Sequence, residues 1–203
     1  CLRLVGSEMC IRDRINRVLS AKIDTHSGSL SIGFGFACPF FENKIKDGDN
    51  KDFLLLMPSE QGVVSWPEKT KSVSALVDEV SWPVNTSSAD LILISHGLEV
   101  SDNQDLLLQE VFRVLKDSGK LVMLVPNRTG FWARSDSTPF GYGKPYSISQ
   151  LTSLLRKNQF QIDSITPNLY GFPAKGGYWL KLLFLWEKLG KKLNSFFLGG
   201  LLI

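Results

Sequence analysis

Hydrophobic and polar positions between residues 89 and 127 follow the pattern of a strand, a helix and a second strand. Leu91 to Ser95 and Leu121 to Val125 are short apolar runs, which are typical of strands buried on both faces. Between them apolar positions recur at helical spacing: Leu106, Leu107, Val111, Val114 and Leu115. The polar positions of that helix are Gln109, Glu110, Arg113 and Lys116. This arrangement predicts a right-handed βαβ unit.

The sequence also predicts where the helix of this unit ends and where a ligand would bind. Asp117-Ser118-Gly119 is expected to end the helix, with Gly119 in a left-handed cap. Ligands of such units bind at the carboxyl ends of the strands. Here those ends carry Ser95-His96-Gly97 and Pro126-Asn127.

The residues before this unit predict a helix and three further strands. Ile15 to Ile23 has the spacing of a helix end, and Ser29 to Pro39 is a short strand that runs into a glycine-containing loop. Pro39 suits the first turn of the helix that follows. Asp52 to Met57 and Val73 to Leu76 are predicted as the second and third strands.

The residues after the unit predict a helix and two strands. Ser147 is expected to cap a helix over Ile148 to Lys157. Phe160 to Ile165 alternates like a strand, and Leu198 to Ile203 has the composition of a last strand. Strands that alternate with helices predict a three-layer α/β fold with a mostly parallel sheet.

Composition and charge narrow the class of protein. The chain has 203 residues, of which 43% are hydrophobic and 21% are charged, so we expect one domain with its own core. A net charge of +3, with Lys and Arg scattered, argues against nucleic acid as a partner. No apolar run approaches the roughly 20 residues that span a bilayer. The sequence has no metal-ligand cluster and carries no signal for a particular oligomeric state.

Residues 1–14 are expected to be non-native. The codons GAG-ATG-TGT-ATA-AGA-GAC of a synthetic sequencing adapter encode Glu8 to Asp13, so residues 1–14 are interpreted as adapter read-through and excluded from the fold. Residues 15–203 are then a single domain, expected to be incomplete at both ends. Only Cys38 would be native, which excludes a disulfide framework and fits a reducing cytoplasm.

Two sequence motifs carry a family resemblance. Asp90 is followed by His96-x-x-Glu99, and then by Glu110-x-x-Arg113-Val114-Leu115-Lys116-x-x-Gly119-x-Leu121. This block resembles the fourth strand, the following helix and the fifth strand of class I S-adenosylmethionine-dependent methyltransferases of type 11. The resemblance implies a Rossmann-like methyltransferase fold with an antiparallel last strand, and methyl transfer from S-adenosylmethionine.

The resemblance also implies which residues bind the cofactor. The loop containing Gly33, Gly35 and Ala37 would wrap the methionine and ribose parts, and Asp78 would receive the adenine amino group. A plain turn at the glycines and a turn-capping role for Asp78 are the alternatives. In this chain Ser31 stands near the first glycine and Met57 ends the second strand, where the family usually has acidic residues.

The acceptor side is predicted from the residues after the fourth and fifth strands. His96 is the candidate base for an acceptor that must lose a proton, or else a hydrogen-bonded structural residue. The loop from 128 to 150 is rich in aromatic residues, and Arg134, Tyr142 and Tyr146 are its candidate acceptor-binding residues. The alternative is a surface loop packed by its own aromatics. Trp82 is expected near the adenine or at the edge of the core.

The acceptor is predicted to be a small or lipid-like molecule. Tyr178 to Phe197 has the pattern of a basic amphipathic helix, which either covers the sheet or makes peripheral contact with a membrane.

Two other functions are consistent with parts of the sequence. A non-catalytic methyltransferase-like binding module would explain Ser31 and Met57, and a nicotinamide dehydrogenase would share the glycine loop.

Overall fold

A computed structural model describes residues 15–19, 22–23, 28–42, 52–59, 62–67, 72–128, 144–168 and 201–202. Residues 1–14 and the amphipathic segment 178–197 lie outside these ranges, so the predictions made for them stay predictions. Among the described residues no helix is long and apolar enough to cross a membrane.

Helices and strands alternate through most of the described chain, as the sequence predicts. The helices are α1 (15–19), α2 (Cys38–Phe41), α3 (Gln104–Val114) and α4 (Ile148–Lys157). The strands are β1 (Ser31–Gly35), β2 (Phe53–Pro58), β3 (Ser74–Val77), β4 (Ala89–Ser95), β5 (Leu115–Pro126), β6 (Pro167–Asn168) and β7 (Leu201–Leu202).

The described strands form one sheet in the order β3-β2-β1-β4-β5-β7-β6. The pairs from β3 to β5 are all parallel, whereas β7 runs antiparallel to both β5 and β6. The carboxyl ends of the five parallel strands therefore share one edge of the sheet. This architecture confirms the predicted α/β fold with an antiparallel last strand.

Two apolar layers cover the two faces of the sheet. Successive side chains of a strand point to opposite faces, so Leu91 and Leu93 join the layer with α1 and α2, and Ile92 and Ile94 join the layer with α3 and α4. Ile92, Leu93 and Ile94 are completely buried, as expected for central strands of a parallel sheet.

The end of α3 differs from the prediction. The helix stops at Val114, and Gly119 does not adopt the expected left-handed cap conformation. The backbone N–H groups of Ser87 and Ser88 donate to the carbonyls of Arg113 and Val114, each at 2.9 Å. These bonds satisfy carbonyls at the helix terminus, so a left-handed cap is not needed there. A Cβ on Gly119 would lie 2.8 Å from the Leu115 side chain, which explains the small residue.

The buried face of α3 also differs in two positions. Leu106 was predicted to face the core but is 43% exposed, whereas Leu108 is fully buried. Glu110 was predicted among the polar positions of the helix and is only 9% exposed. The face of α3 that packs on the sheet therefore includes the carboxylate of Glu110.

Glu110 is buried because it holds the segment that leads into β4. Its carboxylate accepts the backbone N–H of Trp82 at 2.7 Å and two N–H groups of Arg113 at 2.7 and 2.8 Å. Arg113 also donates to the Trp82 carbonyl at 3.3 Å and to Thr86 Oγ1 at 3.0 Å. Hydrogen bonding from Arg113 lowers the pKa of Glu110 below its usual value, so the carboxylate is ionised.

Asp90 and Lys116 make a similar connection at the amino ends of the strands. Lys116 Nζ lies 2.8 Å from both carboxylate oxygens of Asp90, and Asp90 accepts the Leu30 N–H at 3.0 Å. The hydrogen bond from Lys116 lowers the pKa of Asp90. One carboxylate therefore connects the residues around the starts of β1, β4 and β5.

The region after β5 confirms two predictions and corrects one. Ser147 caps α4, with its side chain accepting the Gln150 N–H and the Gln150 side chain accepting the Ser147 N–H. β7 confirms the predicted last strand, but the predicted strand over Phe160 to Ile165 is wrong. Phe160 packs against Phe112 on α3, and Ile162 and Ile165 pack on the core, while this backbone joins no strand of the sheet.

We expect Glu110→Gln to lower the free energy of unfolding by about 2 kcal/mol near neutral pH, because it weakens several charge-assisted hydrogen bonds of a buried group. Urea denaturation measures the change, with the exposed Asp117→Asn as the control for loss of one carboxylate.

The pKa of Glu110 is lowered in the folded state, so its contribution is present above the ordinary value of 4.5 and is lost as pH falls through the folded value. The difference between wild type and Glu110→Gln should therefore shrink below pH 4.5. A difference that is the same at acid and neutral pH would contradict this account.

Candidate functional site

The carboxyl ends of β1 and β4 meet in a contact that only glycine permits. Gly35 pairs with Ser95 and has φ +74°, which is the left-handed region. A Cβ at Gly35 would lie 2.5 Å from the Ser95 carbonyl oxygen. That oxygen also accepts the N–H of Phe36 at 2.7 Å, so the loop after β1 is held directly against the end of β4.

Gly33 and Ala37 pack α2 against the sheet. A Cβ on Gly33 would lie 2.6 Å from Ala37 Cβ, 2.7 Å from Leu55 and 2.8 Å from the Phe41 ring. Ala37 is fully buried and precedes the first residue of α2. The small size of both residues is therefore required by packing, whatever else the loop binds.

His96 begins the loop after β4 and contacts an acidic side chain. Its backbone has φ +52°, and its N–H donates to the Leu124 carbonyl at 3.2 Å. Its ring nitrogen Nδ1 lies 2.7 Å from Glu99 Oε1. The His96 side chain is 24% exposed, whereas Glu99 is 3% exposed.

Glu99 is a site residue whose role the sequence does not reveal. Its only sequence signal is a glutamate three residues after His96, just beyond a strand. Its second oxygen, Oε2, is buried and has no hydrogen-bond partner among the described residues. Its backbone carbonyl accepts the N–H of Lys144 at 2.9 Å, which connects it to the segment that precedes α4.

Asp78 lies at the end of β3 and stabilises its own turn. Its Oδ1 accepts the N–H of Val80 at 3.0 Å, and its side chain is exposed. The next residue, Glu79, accepts a 2.7 Å hydrogen bond from Ser101 Oγ. This bond joins the loop after β3 to the loop after β4, although β2 and β1 lie between these strands in the sheet.

The end of β2 is apolar. Met57 is 6% exposed, and its Sδ accepts the N–H of Val64 at 3.2 Å.

Ser31 is buried within β1, and its hydroxyl has no partner among the described residues. Trp82 fills the core, stacked on Phe34 with ring centroids 5.1 Å apart.

Tyr146 joins the segment before α4 to the end of β5. Its N–H donates to the Pro126 carbonyl at 3.0 Å, and its carbonyl accepts the Arg128 N–H at 2.9 Å. Burial, followed by the charges of Glu99 and Asp105, raises the pKa of Tyr146 to about 12. Its hydroxyl is therefore protonated at neutral pH and can donate a hydrogen bond.

The other two candidate acceptor residues, Arg134 and Tyr142, lie outside the described residues. Within the described part of the chain, no group of His, Cys, Asp and Glu side chains could hold a metal ion. The described site thus consists of loops after β1, β3 and β4 together with the segment that follows β5.

Comparison with known proteins identifies the fold and the reaction class. A family model described as a methyltransferase domain matches residues 32–123, which include β1 to β4, α3 and most of β5. The chain is an S-adenosylmethionine-dependent methyltransferase with the Rossmann-like methyltransferase fold. Its cofactor is S-adenosylmethionine.

Solved methyltransferase structures confirm this fold. A protein from Archaeoglobus fulgidus has 16% identity and a TM-score of 0.64 over 94% of this chain and 93% of its own. A Thermotoga maritima protein has 19% identity and a TM-score of 0.61 over 82% and 79%. One from Mesorhizobium loti has 12% identity and a TM-score of 0.57 over 92% and 94%. No curated protein sequence matches the chain.

We expect Gly35→Ala to destabilise the methyltransferase by more than Gly62→Ala. Both glycines have φ +74°, so both variants bear the cost of a left-handed alanine, about 1 kcal/mol. Only Gly35→Ala also places a methyl group against a backbone oxygen, because no atom of the described residues lies within 4 Å of the Cβ position of Gly62.

The additional cost at Gly35 should be about 1–3 kcal/mol, the range for an overpacked site. Thermal and urea unfolding of the two variants measures it. Equal destabilisation would show that the contact with Ser95 does not constrain the loop after β1.

Proposed function

We propose that this methyltransferase acts on a small or lipid-like acceptor that loses a proton, bound where β4 and β5 end. The observation that carries the proposal is the His96–Glu99 contact of 2.7 Å at the end of β4. A histidine held by a carboxylate is a suitable general base, and it stands beside the loop that β1 and β4 hold together.

The adenine side of the cofactor site is proposed at Asp78. One carboxylate oxygen accepts the Val80 N–H, and a carboxylate has further acceptor positions on its second oxygen. Since the side chain is exposed, it can receive the adenine amino group without breaking its turn. The turn-capping and cofactor-binding interpretations of Asp78 are therefore compatible.

The loop with Gly33, Gly35 and Ala37 is proposed to hold the methionine and ribose parts. Gly35, in its left-handed turn, has no side chain that could stand between the backbone of this loop and a ligand. Met57 stands where a carboxylate would accept hydrogen bonds from the ribose hydroxyls. Among the described residues, backbone groups would therefore have to bind the ribose.

On the acceptor side, the protein aligns the acceptor and removes its proton. S-adenosylmethionine supplies a methyl group that is activated by positively charged sulfur. His96 accepts the proton of the methyl acceptor, and the Tyr146 hydroxyl donates a hydrogen bond to the methyl acceptor. Arg134 and Tyr142 in the 128–150 loop are proposed to complete this side, with Arg134 favouring an anionic acceptor.

We expect Asp78→Asn to weaken S-adenosylhomocysteine binding about tenfold without lowering the melting temperature. Asparagine has one acceptor oxygen, which stays on the Val80 N–H, so its amide NH₂ would face the adenine amino group. Calorimetric titration measures the affinity, and the exposed Asp102→Asn is the control for loss of one carboxylate.

S-inosylhomocysteine provides a matched second ligand, because it carries an acceptor oxygen in place of the adenine amino group. Asp78→Asn should bind it better than the wild type does. If both ligands bind Asp78→Asn as they bind the wild type, the adenine does not contact Asp78.

His96→Gln is expected to bind S-adenosylhomocysteine normally and to transfer methyl groups at least 100-fold more slowly, the usual contribution of a general base. The assay follows methyl transfer from radiolabelled cofactor to a panel of phenols, amines, carboxylic acids and lipid vesicles. Histamine belongs in the panel, since the Thermotoga maritima protein is described as a possible histamine N-methyltransferase.

The matched control is His26→Gln, which changes the only other histidine. Equal rates for His96→Gln and wild type would exclude His96 as the base. No cofactor binding by a cooperatively folded chain would favour the binding module over the enzyme.

A further inference from the structure

Glu99 is almost completely buried, unlike the side chains of a typical surface ion pair. Its side chain is 3% exposed, while the histidine it contacts is 24% exposed. Ionisable side chains are seldom buried to this degree without a specific partner. The partner here is His96 Nδ1 at 2.7 Å, a short distance typical of a charge-assisted hydrogen bond.

The backbone around this pair keeps both side chains in place. His96 has φ +52° and donates its N–H to Leu124 on β5. A Cβ on Gly97 would lie 2.7 Å from the Phe34 ring, so the turn between the two residues presses directly against the core. The Glu99 carbonyl is held by the Lys144 N–H, which fixes the far end of the turn.

A carboxylate has acceptor oxygens but no proton to donate. A histidine nitrogen that contacts it at 2.7 Å must therefore carry the proton. In a neutral imidazole only one nitrogen is protonated, so Nε2 is then the nitrogen with a lone pair.

We propose that Glu99 is a positioning residue that fixes His96 with its proton on Nδ1, leaving Nε2 to accept the proton of the methyl acceptor. This inference rests on the proposed function of His96 as the base, and it assigns the role of each ring nitrogen. It also narrows the acceptor to a molecule that carries a hydroxyl, amine or acid proton at the atom to be methylated.

The test is the tautomer of His96, which nuclear magnetic resonance reads without any acceptor. The chain has two histidines, so the full-length His26→Gln variant labelled with ¹⁵N at histidine gives signals from His96 alone. At a pH where the ring is neutral, we expect Nδ1 to show the pyrrole-like shift and Nε2 the pyridine-like shift. A pyridine-like Nδ1 would overturn the inference.

Variants at Glu99 give the second part of the test. Glu99→Gln keeps the volume but can donate as well as accept, so both tautomers should appear, and Glu99→Ala should lose the Nδ1–H preference altogether. The control Asp102→Asn removes an exposed carboxylate three residues away and should leave the tautomer unchanged. A tautomer that is unchanged in both Glu99 variants would also overturn the inference.

The tautomer of His96 and its role as the base can fail independently, and the measurements distinguish the two failures. If the tautomer behaves as expected but His96→Gln transfers methyl groups at the wild-type rate, the pair is positioned but His96 is not the base. If His96 is the base, Glu99→Gln should slow methyl transfer and leave S-adenosylhomocysteine affinity unchanged. Adding Glu99→Gln to His96→Gln should then slow it no further, because both changes act through the same group.

Discussion

The contact between Gly35 and the Ser95 carbonyl is the constraint on which the arrangement of the site depends. β1 and β4 are neighbours in the middle of the sheet, and their last residues pair directly. Because no Cβ fits between them, this position requires glycine; the chain turns there in the left-handed region and starts α2 three residues later. The loops after β1 and β4, which carry the proposed cofactor and acceptor groups, are therefore fixed relative to each other by backbone atoms.

Much of the fold could be predicted because the central strands are buried on both faces and read as plain apolar runs. The errors fall where a tertiary partner replaces a local signal. Gly119 is not the helix cap because Ser87 and Ser88 satisfy the helix carbonyls, and no local pattern shows that distant pairing. Phe160 to Ile165 alternates because its side chains pack on α3 and the core, while its backbone pairs with no strand.

Most residues that carry the family resemblance proved to be structural. Glu110 and Arg113 hold the segment before β4, and Lys116 holds Asp90 at the amino end of β4. These residues identify the fold but do not report on the acceptor, because only His96 and Glu99 of the motif lie at the carboxyl end of a strand. The site itself was only partly readable: His96 and Asp78 stand at strand ends, as expected, but the burial of Glu99 depends on packing that sequence spacing cannot show.

The place of β7 in the sheet has a consequence for the order of folding. β4, α3 and β5 are consecutive in the chain, so their pairing closes only short loops and can form early. β7 reaches β5 only after the chain has continued from Pro126 to Leu201, and its pairing is therefore late. Until then the outer edge of β5 at Val125 and Pro126 lacks this partner, and an open strand edge is where chains of different molecules pair. Pairing of Leu201 and Leu202 with β5 therefore covers a strand edge that would otherwise be open to association with another chain.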